Sequence, residues 1–311
     1  MPRGQGYRVA MTQALVLGGG GPVGVGWESG LAAGLAEAGV ALAAADLIVG
    51  TSAGSIVGAG LALGLDLAET VSAVGQPLPV EVGAGATIAD LMTALADAAS
   101  RAQTPEQTRI ELGKLALEAP TVAEGDFTGA PVFAQLAGRD WPASFRCTAI
   151  DTQTGALRVW DAEAGAPLDR GVASSCAVPM VFPPVTVDGS RYMDGGMRTP
   201  LNADLAVGHS AVIVVSCLSM ALPEGFTDPV FEALATQIEA ELTLLRDGGA
   251  AVEIIVPGAE FLEVSGWGTE LMNPARVAGA YEAGVRQAAA EADRLQAIWT
   301  RGSSPAARTQ L

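Results

Sequence analysis

An α/β fold on a central, mainly parallel sheet is the architecture that the amino-acid sequence predicts, and three observations predict it. Residues 14–17 form a short apolar run that ends in the glycines at 18–21 and leads into a segment of helical composition and spacing over residues 25–38. Residues 46–49 form a second apolar run, which passes through a tight turn at 51–54 into a small-residue helix over 55–63. Two such strand, glycine turn, helix units in succession imply parallel strands joined by right-handed crossovers. Length is the third observation: 311 residues, 50% of them hydrophobic, suffice for one large core, and no charge block or Pro/Ser-rich linker divides the chain.

The remaining elements follow in order. Residues 66–118 read as helical and amphipathic, and Thr104-Pro105-Glu106-Gln107 is a helix start with an N-cap, proline at the first position and glutamine at the third. This block is expected to pack over the sheet or to cap the site. Residues 145–151 and 156–160 read as two strands of a hairpin joined by TQTG. Strand character returns at 185–187, 211–216 and 252–256, with helices around 166–176, 229–246 and 274–298. Residues 1–11 form an N-terminal extension and residues 301–311 a tail expected to be disordered.

Composition excludes several function classes. Every apolar run is broken by Gly, Pro or a charge before the roughly 18 residues that a membrane span needs. The first residues carry Arg3 and Arg8 without the apolar stretch of a secretory signal, so a cytoplasmic location is expected. Cys147, Cys176 and Cys217 are odd in number and widely spaced, which suggests buried hydrophobes and neither a disulfide framework nor a zinc site. A formal net charge of -17 argues against nucleic acid as a partner and disfavours tight docking on anionic lipid, leaving at most a transient membrane-surface contact.

The chemistry sits in three short motifs. Gly50-Thr51-Ser52-Ala53-Gly54 is a GxSxG pentapeptide between a strand and a helix, the setting in which a nucleophilic serine is presented on a strained turn, with Gly50 and Gly54 relieving the crowding. A serine needs a base, yet the only histidine, His209, follows Gly208 at an expected helix end and reads as a cap or a solvated group. Asp194, followed by Gly195 and Gly196, is the alternative: in isolation a turn, but beside Ser52 and partly desolvated a competent proton acceptor. Asp188 lies in another Asp-Gly turn and lacks the second glycine. Ser174 and Ser175 read as packing or backbone-bonded hydroxyls, and Trp27, Met92 and Phe182 as core residues able to line an acyl pocket.

The third motif is the glycine loop of LVLGGGGPVGVG, whose backbone N–H groups at a helix N-terminus suit an anion, either a dinucleotide phosphate or an oxyanion. Gly19, Gly21 and Gly24 satisfy GxGxxG, but the dinucleotide reading expects an acidic residue where the second strand ends, and here the serine turn stands there. A nucleotide-binding protein and a catalytically silent acyl-binding module remain alternatives to an esterase.

With GGGGPVG, GTSAG and DGG in that order, supported by SSCAVPMVFPPV and NADLA, the chain resembles the patatin-like phospholipases over roughly residues 12–216. The resemblance implies a three-layer α/β/α domain over residues 12–300 with a helical cap-like insertion at 66–118. It implies a lipid acyl hydrolase in which Ser52 is the nucleophile, Asp194 the base, and Gly19, Gly20 and Gly21 the oxyanion hole, acting on a lipid or other acyl ester without metal or cofactor. Where the family's loop usually carries Arg or Lys, this chain has Val23, which withdraws a cation from any anionic substrate.

Overall fold

The computed structural model describes residues 11–76, 88–219 and 229–299. Most of the N-terminal extension, the tail, and the start of TIADLMTALADAAS lie outside the described residues. In chain order the described elements are β1 (Gln13–Leu17), α1 (Gly21–Glu37), β2 (Leu47–Gly50), α2 (Ala53–Leu63), α3 (Leu67–Val74), α4 (Ile88–Arg101) and α5 (Pro105–Glu118). Then come α6 (Glu124–Thr128), α7 (Pro131–Ala134), β3 (Phe145–Asp151), β4 (Leu157–Trp160), α8 (Leu168–Ser175), β5 (Val185–Val187) and β6 (Ser190–Asp194). β7 (Ala211–Val215), α9 (Pro229–Asp247), β8 (Ala251–Ile255), α10 (Ala259–Val264) and α11 (Val277–Trp299) complete the chain.

The strands form one sheet in the order β5-β6-β3-β2-β1-β7-β8, with β4 paired to β3. The β3-β2-β1-β7-β8 run is parallel, and β4, β5 and β6 add antiparallel pairs at one side. Strand periodicity explains why β1, β2 and β7 are apolar on both faces. Leu15, Leu17, Ile48, Ile213 and Val215 point into a core shared with α1, α2 and α11. The alternate residues Ala14, Val16, Leu47, Val49, Val212 and Val214 point into a second core closed by Ile238, Leu242 and Leu245 of α9. These two cores make the arrangement three-layered, α/β/α. Over β3 and β6 the second face is covered by α4 and α5, where Ala98, Leu112 and Ala116 pack on Ile150 and Met193.

Two expectations need correction. The first helix begins at Gly21, not Val25, because Pro22 supplies a preset φ in the first turn and the Leu271 carbonyl takes the Val23 N–H at 3.1 Å. The DGG aspartate is not simply in a turn: it ends a strand, β6, which pairs with β3 and β5. The short helices α6, α7 and α10 carry no strong periodic signal and were not expected. Thr104 caps α5 as read, accepting the Gln107 N–H at 3.3 Å.

The helix rich in glycine survives its poor intrinsic propensity through close packing. A Cβ built on Gly30 would lie 2.0 Å from the Tyr281 carbonyl oxygen of α11, and one on Gly284 2.3 Å from the Trp27 carbonyl. The two backbones therefore touch. Gly30→Ala is expected to destabilise the fold by about 3 kcal/mol or more, by overpacking a contact made of backbone that cannot rotate away. Urea denaturation checks this, and an unchanged midpoint would contradict the packing described.

Candidate active site

Ser52 sits between β2 and α2 with φ 52° and ψ −117°, a conformation that L-residues rarely adopt and that costs on the order of 1–3 kcal/mol. The surrounding structure over-determines it. Its N–H donates to Ser175 Oγ at 3.0 Å, and its carbonyl accepts from Ser55 N, Ser55 Oγ and Cys176 Sγ at 2.9, 2.7 and 3.2 Å. Gly54 is required by close approach, since its Cβ would fall 2.2 Å from the Leu17 carbonyl, and a Cβ on Gly50 would lie 2.5 Å from the Gly54 carbonyl. The turn thus presents the Ser52 side chain, 7% exposed, at the carboxyl end of the sheet.

Sheet register brings Asp194 to the same place. β2 leaves the sheet with Gly50 opposite Cys147, while β6, running the other way along β3, ends with Asp194 opposite Ala149. The two turns therefore meet within two registers of one strand, which sets the Ser52 hydroxyl beside the Asp194 carboxylate, near enough to favour its charged form. Asp194 Oδ1 also accepts the Gly196 N–H at 2.7 Å. Burial pushes this carboxyl up from an ordinary 3.8 to about 7, and the bonds from Ser52 and Gly196 pull it only part of the way back. A hydroxyl thus stands beside a buried carboxyl whose proton leaves near neutral pH, an arrangement chemically able to move a proton between the two.

Sequence reading missed the residue that ties the two turns together. Asn202, fully buried and in the left-handed region at φ 53°, donates from Nδ2 to Thr51 Oγ1 at 3.1 Å, Thr148 Oγ1 at 3.3 Å and the Gly195 carbonyl at 3.3 Å. Thr51 and Thr148 hydrogen-bond each other at 2.9 Å. The elbow, β3 and the DGG turn are pinned to one amide. Only the NADLA segment hinted at it, with no role attached.

The glycine loop lies against this pair, with the Gly19 Cβ position 3.5 Å from Ser52 Cβ and the Gly18 carbonyl accepting the Gly54 N–H at 3.0 Å. One assignment changes. The Gly19 N–H is spent on the Pro200 carbonyl at 2.9 Å, so Gly19 shapes the loop without offering a donor. The N–H groups of Gly20 and Gly21, and that of Ala53 behind Ser52, have no partner among the described residues. Gly24 packs on Cys217 beneath the loop, and Cys217 Sγ donates to the buried Glu28 at 3.7 Å. Burial holds the Glu28 carboxyl well above its ordinary range.

Two cavities open at Ser52, the first lined by Phe127, Phe133 and Phe182 among others, the second by Asp194, Gly19, Gly20 and Gly21 with Met92 and Leu234. Phe182 lines the first cavity and Met92 the second, whereas Trp27 is a core residue, fully buried and stacked on Phe261 at 4.7 Å. Ser174 and Ser175 are backbone-bonded hydroxyls, as one of the two expectations had it, and the backbone that Ser175 holds is that of Ser52. Asp188 lies on the exposed hairpin turn at φ 48°, and His209 bonds its own turn at Ala206. Neither borders the two cavities. The three cysteines are free and buried, as expected.

A family model described as patatin-like phospholipase matches residues 84–207, a stretch that holds Asp194 and Asn202 and ends before β7. Over that stretch the chain is similar to the patatin-like phospholipases. Among solved structures, VipD from Legionella pneumophila aligns at 14% identity and a TM-score of 0.43, covering 92% of this chain and 67% of that one. The type III effector protein ExoU aligns at 15% identity and a TM-score of 0.34, over 94% of this chain and 59% of that one. Comparison with curated proteins by sequence gives no match. The chain has no helix, among the described residues, that is long and apolar enough to cross a membrane. Val23 is fully buried in the core, so the position offers the loop no polar group.

Two stability effects follow from the geometry. Ser52→Gly should be more stable than Ser52→Ala by about 1 kcal/mol or more, because glycine accepts φ 52° without strain; equal melting temperatures would contradict the strain. For Asp194 the native state retains a proton between pH 4 and about 7 that the unfolded chain has released, so its contribution to stability falls as pH rises through that window. Asp194→Asn removes the slope. Relative to wild type it should gain stability between pH 4 and pH 8, on the order of a few kcal/mol, in parallel urea titrations.

Proposed function

We propose that the protein is a serine lipid acyl hydrolase that cleaves carboxylic esters through a Ser52–Asp194 dyad. The observation that carries this reading is the placement of the Ser52 hydroxyl and the buried Asp194 carboxyl on one cavity, at a point where backbone N–H groups without a partner among the described residues also converge. The family match supports lipid acyl hydrolysis in general terms.

In the first half-reaction Asp194 takes the Ser52 proton as Oγ attacks the ester carbonyl carbon, and the carbonyl electron pair moves onto oxygen. Gly20 and Gly21 donate N–H bonds to that oxyanion, joined by Ala53, the residue after the nucleophile. Collapse breaks the bond to the alcohol, whose oxygen receives the proton held by Asp194. A water then yields a proton to Asp194 and attacks the acyl carbon, and the second collapse returns the proton to Ser52 with release of the acid. A carboxyl titrating near 7 can do both halves, since it gives and takes the proton at similar cost.

Intact-mass detection of a fluorophosphonate adduct, mapped to its residue, tests the reading, with the adduct expected on Ser52. Ser52→Ala should lower ester hydrolysis at least about a thousandfold, and Asp194→Asn by about 10²–10⁴-fold because the amide cannot accept the proton. His209→Ala should change little. In wild type kcat/KM should fall about tenfold per unit as pH drops below about 7, because the base must be ionised to start the reaction. Loss of activity in His209→Ala with Asp194→Asn near wild type would overturn the dyad.

A further inference from the structure

The two cavities meet at Ser52 but are not equivalent, and this deepens the proposed function, on which it rests. Both include Gly21, Ser52, Val178 and Met272, so they join at the seryl oxygen. Asp194 borders only the second. The proton on Asp194 must reach the leaving alcohol oxygen, so the alcohol lies on the Asp194 side and the acyl chain on the other.

Each side has a definite chemistry. The acyl side is walled by Ile56, Ala73, Phe127, Val132, Phe133 and Phe182, with Phe127 stacked on Phe182 at 4.7 Å and edge-on to Phe133 at 5.2 Å. The alcohol side is walled by Leu91, Met92, Leu95, Met197, Leu218 and Leu234. Among the described residues lining that side, Arg198 is the one cation, and its guanidinium is already engaged. It donates to both Asp204 oxygens at 2.9 and 2.7 Å and to Asn202 Oδ1 at 2.9 Å. Gln237 Nε2 is likewise used, on the Arg198 carbonyl at 2.9 Å. A phosphate placed there would lose its hydration, find no uncommitted cation, and face the Asp194 carboxylate.

We propose that the substrate is an ester apolar on both sides of the scissile bond, with its acyl chain against the phenylalanine wall and an uncharged, chain-bearing alcohol against the Leu/Met wall. Glycerides and long-chain alkyl esters have this chemistry. Diacylglycerophospholipids, whose leaving alcohol carries a charged headgroup, do not.

The test uses two series of alkyl esters in mixed micelles, one varying the acyl chain at fixed alcohol and one varying the alcohol at fixed acyl chain. Wild type should prefer decyl over ethyl alcohols, and didecanoylglycerol over didecanoylphosphatidylcholine, by at least about tenfold. Ala73→Phe should collapse the acyl-length ratio and leave the alcohol-length ratio at its wild-type value; Leu234→Trp should do the reverse. Val132→Trp and Met92→Trp repeat the two arms should either first variant fail to fold. Equal or faster cleavage of the phosphatidylcholine, or variants that shift the opposite ratio, would overturn the two-sided assignment while ester cleavage itself stood. A wild type that forms no fluorophosphonate adduct and cleaves no ester in either series would overturn the hydrolase reading and this inference with it.

Discussion

The fold has to bury a carboxylate against a serine without giving it a cation, and much else in the molecule answers to that constraint. A guanidinium beside Asp194 would hold its carboxyl low and leave a weak base; burial with only Ser52 and Gly196 as partners puts it at about 7. The burden falls on stability. The rigid, doubly covered sheet, with Leu15 and Leu17 facing one helical layer and Ala14 and Val16 the other, supplies the surplus that tolerates it. The backbone strain at Ser52 draws on the same surplus, held by Ser175, Ser55 and Cys176.

Placement is a separate problem from activation, and it is solved by β3. β2 and β6 leave the sheet opposite Cys147 and Ala149, and between them stands Thr148, whose hydroxyl meets Thr51 and Asn202. Small polar groups with fixed partners are suited to this, because a buried amide that is fully bonded admits one arrangement and penalises others. Arg198 extends the network outward by binding Asn202 Oδ1 and Asp204, and in doing so gives up its own charge as a ligand for substrate. In the proposed reading, positioning of Ser52 and Asp194 and selection of an uncharged alcohol are thus coupled through one side chain.

Beneath the glycine loop a second buried acid, Glu28, lies against Cys217, which in turn fills the space left by the absent side chains of Gly20 and Gly24. Burial pushes the Glu28 carboxyl and the Cys217 thiol both upward, disfavouring the charged form of each. The pair supports the loop from behind.

How much of this was legible depended on the range of the interactions involved. GTSAG declared itself because strand, turn and helix lie within a dozen residues, and two such strand, glycine turn, helix units in succession foretold a parallel sheet. The start of α1 was misplaced because a glycine run has low helix propensity, and its first turn is held by Leu271 and by the backbone of α11. β6 was missed because SRYMD alternates weakly and becomes a strand only through its pairing with β3 and β5. Gly19 was misassigned because its donor is taken by Pro200, a partner no local pattern reveals. The sequence by itself determined which side chains could do chemistry and the strand and turn that present Ser52, since those rest on local backbone geometry. Tertiary structure alone decided that Asp194 reaches Ser52, that Asn202 locks them, and that the described residues lining the cavity on the Asp194 side include no uncommitted cation, because each depends on strands and loops distant in the chain meeting at one end of the sheet.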